Sequence, residues 1–444
     1  MSAYPPQAKE ETGIKPPAPD FAEKTADMWH RGSAWILGPL MIGLLAVALA
    51  TASNYVSQLN MTLFHEFFFA PLLIVPLGFV VLTYVSRRYF SGTQGSGIPQ
   101  TVAAINESDD AKTSHLLSIR IMIGKIMLTI GGLAVGASIG REGPTVQIGA
   151  SVMHMFYKRG PFQGVEQRRI LLLAGGAAGI AAAFNTPLAG IMFAIEELSK
   201  HHVFNANSSS LVTVIVSGLI SLALLGNYTY FGSSGANLEW NSGVSTILIC
   251  GVAGGMAGGV FSRLLIAVSF GTTSRMAGFI HRRPLAFAAL CGLGVALLGL
   301  ATDHLVFGTG YLPTQAMLED SGSLPWYFGI AKLLATLLSS MSGIAGGVFA
   351  PSLAVGAGVG DNLASLLPVS YAPHSAIVLL TMAAYLSGVT RAPVTAFIIM
   401  MEMTDSHHML LPLMAASVVA SAVSKLISPM PLYHALSQKF LPQR

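Results

Sequence analysis

Residues 126–152 read IMLTIGGLAVGASIGREGPTVQIGASV, an apolar run interrupted at its middle by an arginine, a glutamate and a proline. Ionisable side chains are costly at membrane depth, and where they occur there they mark function. Arg141 and Glu142 are adjacent, and adjacent residues on a helix do not face each other, so they do not simply neutralise one another. Arg141 is expected to tie down the fold and Glu142 to project into a pathway. Pro144 sits where a new helix begins, a position that tolerates its missing N–H.

Composition supports a membrane setting. Of 444 residues, 52% are hydrophobic and 10% are charged, against roughly 25% charged in an ordinary soluble domain. The uncharged stretches Ala34–Ala50, Phe67–Ser86, Pro284–Ala301 and Met409–Ser424 approach or reach the ~17–25 residues that a spanning helix needs. Residues 1–30 are polar and proline-rich and carry no signal-peptide pattern. The pairs Arg87–Arg88, Lys158–Arg159, Arg168–Arg169 and Arg282–Arg283 are expected in short loops as topology signals, so the formal net charge of +4 does not imply nucleic acid as a partner. Cys250 and Cys291 lie in apolar segments, which argues against a disulfide framework. The twelve histidines include the pairs His201–His202 and His407–His408 but no metal-ligand spacing, so no metal is expected. An intramembrane hydrolase is disfavoured because no HExxH occurs and Ser96 has no evident histidine partner.

Many apolar segments are broken by Gly or Pro. At bilayer depth, irregular backbone is tolerated only where protein or a water-filled cavity satisfies its polar groups, so repeated breaks point to a substrate path. The chain also repeats itself. Shifted by 207 positions, Lys125 falls on Lys332, Gly143-Pro144 on Ala350-Pro351, and Ile148-Gly149-Ala150 on Val355-Gly356-Ala357. At an offset of 206, Ala177-Ala178 falls on Ala383-Ala384, Pro187 on Pro393 and Glu196 on Glu402. Duplicated halves are a common transporter plan, with the site where interrupted segments of the two repeats meet. That rule places the site where Gly140–Pro144 faces Gly346–Pro351.

Four segments can hold an anion. Gly95-Ser96-Gly97-Ile98-Pro99 offers a hydroxyl and free N–H groups at a helix start, and Gly140-Arg141-Glu142-Gly143-Pro144 offers another start. Gly346–Pro351 presents the N–H groups of Val348 and Phe349, and Tyr433 adds a phenol. A fixed opposing charge would trap an anion, whereas helix N-termini carrying about half a charge each hold it loosely enough to release. Taken alone, each segment also has an ordinary structural reading: a turn for GSGIP, packing for Phe349, an interfacial position for Tyr433.

Together these segments carry a resemblance. From about residue 33 to 435 the chain resembles the CLC chloride channels and chloride/proton antiporters, on GSGIP at 95–99, GREGP at 140–144, GGVFAP at 346–351 and PLY at 431–433. FNTPLAG at 184–190, leading to Glu196-Glu197, and RAPVTA at 391–396, leading to EMTD at 402–405, extend it. The resemblance implies an all-α integral membrane protein of two inverted-topology repeats of tilted, partly discontinuous helices, assembled as a homodimer in the cell inner (plasma) membrane. It implies a polar cytoplasmic segment 1–32, a transmembrane domain 33–435 with halves at about 33–225 and 244–427, and a short tail 436–444.

Carried over by position, Ser96, Tyr433, Val348 and Phe349 would bind chloride and Glu142 would be the external gating glutamate. Glu197, rather than Glu196, would be the inner proton acceptor, and Lys125 matches a buried lysine of the family. Gly95, Gly97, Pro99, Gly140, Arg141, Gly143, Pro144 and Glu196 would support them. Chloride and protons would be the transported ions, with no cofactor. Gln100 and Val102 stand where some members have carboxylates, so any accessory role of those acids is lacking. The chain stops at Arg444, eleven residues beyond Tyr433, so the cytosolic nucleotide-sensing module of larger members is not expected. Coupled exchange is the favoured activity because channels of the family tend to lack the inner acid. A passive glutamate-gated chloride channel and a fluoride/proton antiporter are the alternatives.

Overall fold

The computed structural model describes residues 21–199, 208–226, 231, 236, 238, 240–271, 278–280, 282–319, 324–367 and 372–441. The pair His201–His202 lies outside them. The first half comprises α1 (Phe21–Glu66), α2 (Pro71–Tyr89), α3 (Ile98–Asn106), α4 (Ile119–Ala134), α5 (Glu142–Arg159), α6 (Val165–Phe184), α7 (Pro187–Phe193) and α8 (Ser208–Leu225). The second comprises α9 (Trp240–Phe270), α10 (Pro284–Ala301), α11 (Tyr311–Leu318), α12 (Phe328–Met341), α13 (Phe349–Leu366), α14 (His374–Thr390), α15 (Pro393–Thr404) and α16 (Leu410–Ile427). A last short helix, α17 (Leu432–Ser437), follows. The first helix thus begins well before residue 33. Among the described residues no strand forms, and six helices are long and apolar enough to cross a bilayer.

The duplication survives in atomic detail. Lys125 Nζ on α4 donates to the Thr93 and Gly95 carbonyls (2.8 and 2.6 Å), and Lys332 Nζ on α12 donates to those of Val306 and Gly308 (both 2.8 Å). Both lysines are fully buried. Glu196 accepts from the Val394 and Thr395 amides at the start of α15 (3.0 and 2.7 Å), while Glu402 accepts from those of Leu188 and Ala189 at the start of α7 (3.2 and 2.8 Å). Each half therefore caps a helix of the other, where a carboxylate satisfies unpaired N–H groups and meets the positive end of the dipole. The two breaks match as well. Asn185 after α6 and Arg391 after α14 both adopt left-handed backbone (φ 58° and 60°), and each is followed within two residues by the proline that opens the next helix.

The repeats run in opposite senses. α2 ends on Arg87–Arg88, whereas its counterpart α10 begins just after Arg282–Arg283, and the two helices pack together. With basic residues held on the cytoplasmic side, the two helices cross in opposite directions.

Two expectations are corrected. The span anticipated at Phe67–Ser86 starts at Pro71, because residues 67–70 form the turn between α1 and α2. Ahead of Arg141, α4 stops at Ala134, and Gly136, at φ 88°, turns the chain into the extended segment that follows. Arg168 is not a loop residue. It is 1% exposed inside α6 and donates to Asp110 Oδ1 (3.0 Å) and the Ala104 and Glu107 carbonyls, because a buried guanidinium needs such partners. Asp110 also meets His154 (2.8 Å), so one carboxylate gathers α5 and α6 at the cytoplasmic face.

Candidate functional site

The loop before α3 is held almost wholly by its carbonyls. Besides the two bonds from Lys125, Gln100 Nε2 donates to the Gly92 and Gln94 carbonyls (3.1 and 2.6 Å) and Gln147 Nε2 to those of Gly92 and Leu116 (3.3 and 2.9 Å). The Gly95 amide donates to the Ile344 carbonyl (3.0 Å), and the Gly346 amide returns to the Gly95 carbonyl (3.1 Å). These bonds set Ser96 at the start of α3. Gly97 is at φ 102°, and a Cβ there would lie 2.9 Å from the Gly143 carbonyl. Glycine is required by both the backbone and the space.

The second and third segments meet as the repeat offset predicts. Gly140 and Gly347 exchange backbone hydrogen bonds in both directions, each 2.7 Å, forming an antiparallel bridge. The segment is braced on its other sides. Arg141 Nη1 donates to the Ala50 carbonyl and to Asn54 Oδ1 on α1 (both 2.8 Å), and Ser138 Oγ pairs with Thr336 Oγ1 (2.9 Å). Arg141 is thereby directed into the fold. Glu142 opens α5, is fully buried, and turns its carboxylate back against Gly140. It lies in the field of the Ala350 and Arg141 amides and of its own, without a hydrogen bond of normal geometry. The starts of α5 and α13 thus converge on one carboxylate.

Val348 is the N-cap of α13 and Phe349 its first residue. The Phe349 ring stacks on Tyr433 (6.0 Å between centroids, 7° between planes) and meets Phe193 at 5.8 Å edge to face. Tyr433 is 1% exposed on α17, so it is no interfacial residue. The Ser96 and Tyr433 hydroxyls are neighbours, and neither makes a hydrogen bond of normal geometry among the described residues. A buried unsatisfied polar group costs about 1–3 kcal/mol, so a ligand that accepts from both hydroxyls is favoured here. Ser96, Val348 and Tyr433 line a cavity of about 290 Å³ whose mouth carries the exposed cations Arg87 and Lys439. That mouth opens on the cytoplasmic side set by Arg87–Arg88.

The two adjacent glutamates have different surroundings. Glu196 is committed to the start of α15. Glu197 is 2% exposed in the wider turn Ala194–Leu198 after α7, and its charge reaches Tyr433 and Arg391. π-type turns of this kind are frequent at functional positions. Sequence reading did not single out Gln147, whose only signal is an amide inside an apolar helix, or Glu402 as a cap.

These features define a multi-pass membrane protein with an anion-receptive centre between inverted repeats. Residues 77–425 match the family described as voltage gated chloride channel, and the chain belongs to that family. It is 29% identical over 422 residues to the "H(+)/Cl(-) exchange transporter ClcA" of Citrobacter koseri, covering 90% of this chain and 87% of that one. A ClcA of Salmonella arizonae is 29% identical over 431 residues, covering 93% and 88%. The crystal structure of a slow cyanobacterial Cl-/H+ antiporter superposes with a TM-score of 0.77 at 26% identity, covering 93% of this chain and 98% of that one. A CLC-type fluoride/proton antiporter superposes at 0.75 with 24% identity, covering 94% and 99%, and shares the fold.

Proposed function

We propose that this protein exchanges chloride for protons across the inner (plasma) membrane, as a homodimer in which each subunit holds its own pathway. The observation that carries this reading is the placement of two buried glutamates, Glu142 where the starts of α5 and α13 converge and Glu197 in the turn after α7. Chloride enters the cytoplasmic cavity past Arg87 and Lys439 and is held by the Ser96 and Tyr433 hydroxyls with the N–H groups of Val348 and Phe349. Glu142 occupies the outer position at the converging helix starts. A carboxylate and an anion compete for the same donors there, so protonation of Glu142 and chloride occupancy become linked. The neutral side chain swings aside and lets chloride pass. Glu197 hands protons between the cytoplasm and Glu142, while Glu196 stays structural.

No cofactor and no covalent step is needed. The names of the bacterial relatives and of the cyanobacterial structure support the same exchange. In liposomes, an imposed chloride gradient should drive protons uphill. Brisk chloride flux without proton movement would instead make the protein a passive channel.

A further inference from the structure

The ends of α1 and α10 lie on the face opposite the basic pairs Arg87–Arg88 and Arg282–Arg283, which places them outside the cell. Three side chains converge there. His65 is in the last turn of α1, and Asp303 and His304 are in the turn between α10 and α11. One ligand atom from each lies within 4.8 Å of the others. Sequence reading expected no metal because the histidine pairs show no metal-ligand spacing, and spacing does not register His65 and Asp303, which stand more than 230 positions apart. The fold closes that gap. Asp303 and His304 adopt left-handed backbone one after the other (φ 49° and 68°), fixed by the His304 amide donating to the Gly299 carbonyl at 2.7 Å.

His304 is 1% exposed, and its ring is boxed by Phe64, Phe68 and Phe307 at centroid distances of 5.8, 5.1 and 5.8 Å. Its Nε2 lies 3.3 Å from the Phe68 carbonyl. A carbonyl only accepts, so Nε2 donates and Nδ1 keeps its lone pair. Nδ1 is buried with no hydrogen-bond partner among the described residues. Metal-binding imidazoles usually have this arrangement, with the second nitrogen donating to a carbonyl that fixes the tautomer.

We propose that His65, Asp303 and His304 form an external binding site for a divalent transition-metal ion of the zinc class. Two imidazoles and one carboxylate suit Zn²⁺, Co²⁺ or Ni²⁺ rather than Ca²⁺ or Mg²⁺, which prefer all-oxygen sites, and the remaining position takes water. Tetrahedral ligands at about 2.0 Å from zinc stand roughly 3.3 Å apart. Rotation of the exposed His65 and Asp303 side chains closes the difference. Occupancy ties the end of α1 to the turn after α10. Phe64 and Phe307 in that cluster flank Gly136, where a Cβ would lie 3.0 and 3.3 Å from their rings, and Gly136 begins the segment leading to Glu142.

Calorimetric titration of Zn²⁺ into the full-length protein in detergent, with no affinity tag, tests the site. The expected result is one ion per subunit, undiminished by excess Mg²⁺ or Ca²⁺. His304→Ala and His65→Ala should each weaken binding at least tenfold, and Asp303→Asn severalfold. Co²⁺ should give the intense visible absorption of a low-symmetry site in the wild type and lose it in His65→Ala. His65 is exposed, so its removal empties no core, and chloride flux in metal-free buffer checks that each variant is folded. Absence of binding in the wild type, or wild-type affinity in all three variants, overturns the proposal.

Discussion

The paired lysines allow one substitution to be tested against its own structural twin. Lys125→Met keeps the apolar stem and removes the group that donates to the Thr93 and Gly95 carbonyls, and Lys332→Met does the same at Val306 and Gly308. Lys332→Met leaves two acceptors without a donor and Lys125→Met leaves one, because the Gly346 amide still donates to the Gly95 carbonyl, so at about 1–3 kcal/mol apiece the variants should lose roughly 2–6 and 1–3 kcal/mol of stability. Function should separate them. The Lys125 loop carries Ser96, and a lost hydrogen bond to an anion is worth about 1.5–3 kcal/mol, so chloride affinity should fall about tenfold or more. The Lys332 loop carries no proposed chloride ligand, so affinity there should stay within about twofold. Thermal unfolding in detergent reads the first quantity and calorimetric chloride titration the second. Wild-type chloride affinity in Lys125→Met, or an equal loss in Lys332→Met, would refute the assignment of the lysine to the Ser96 loop.

Other expected outcomes are more direct. Glu142→Gln, which imitates the protonated gate, should keep chloride permeation in liposomes and lose proton coupling with most pH dependence; continued uphill proton transport would remove its gating role. Tyr433→Phe keeps the ring stacked on Phe349 and removes the donor, so calorimetry should show chloride binding about tenfold weaker or more, whereas unchanged affinity would exclude the hydroxyl. Glu402→Gln and Glu196→Gln each weaken a cap made across the two halves and should lower thermal stability by similar amounts, about 0.5–2 kcal/mol. A homodimer should elute at twice the subunit mass after the detergent contribution is subtracted, and a monomer there would remove that part of the proposal.

Much of this arrangement is legible in the sequence because breaks and charges inside apolar runs have few physical uses. Pro99, Pro187 and Pro393 mark helix starts that the fold keeps, and the Lys125/Lys332 and Glu196/Glu402 pairs announce the repeat because their geometry is duplicated. The meeting of Gly140 with Gly347 follows from the same offset. What was not legible depends on contacts between distant segments. Arg168 reads as half of a basic loop pair until Asp110 and two carbonyls surround it. Phe67–Phe69 reads as the start of a span, because hydropathy does not register a turn made by aromatic residues. Gln147 is silent because its partners lie 31 and 55 positions away.

Coupling through Glu197 is tested most directly by recording chloride and proton movements together in liposomes containing Glu197→Gln, with Glu196→Gln as the neighbouring control. The account predicts that Glu197→Gln still moves chloride, within severalfold of the wild type, with no accompanying proton movement, while Glu196→Gln remains coupled. Undiminished chloride-driven proton transport in Glu197→Gln would contradict it.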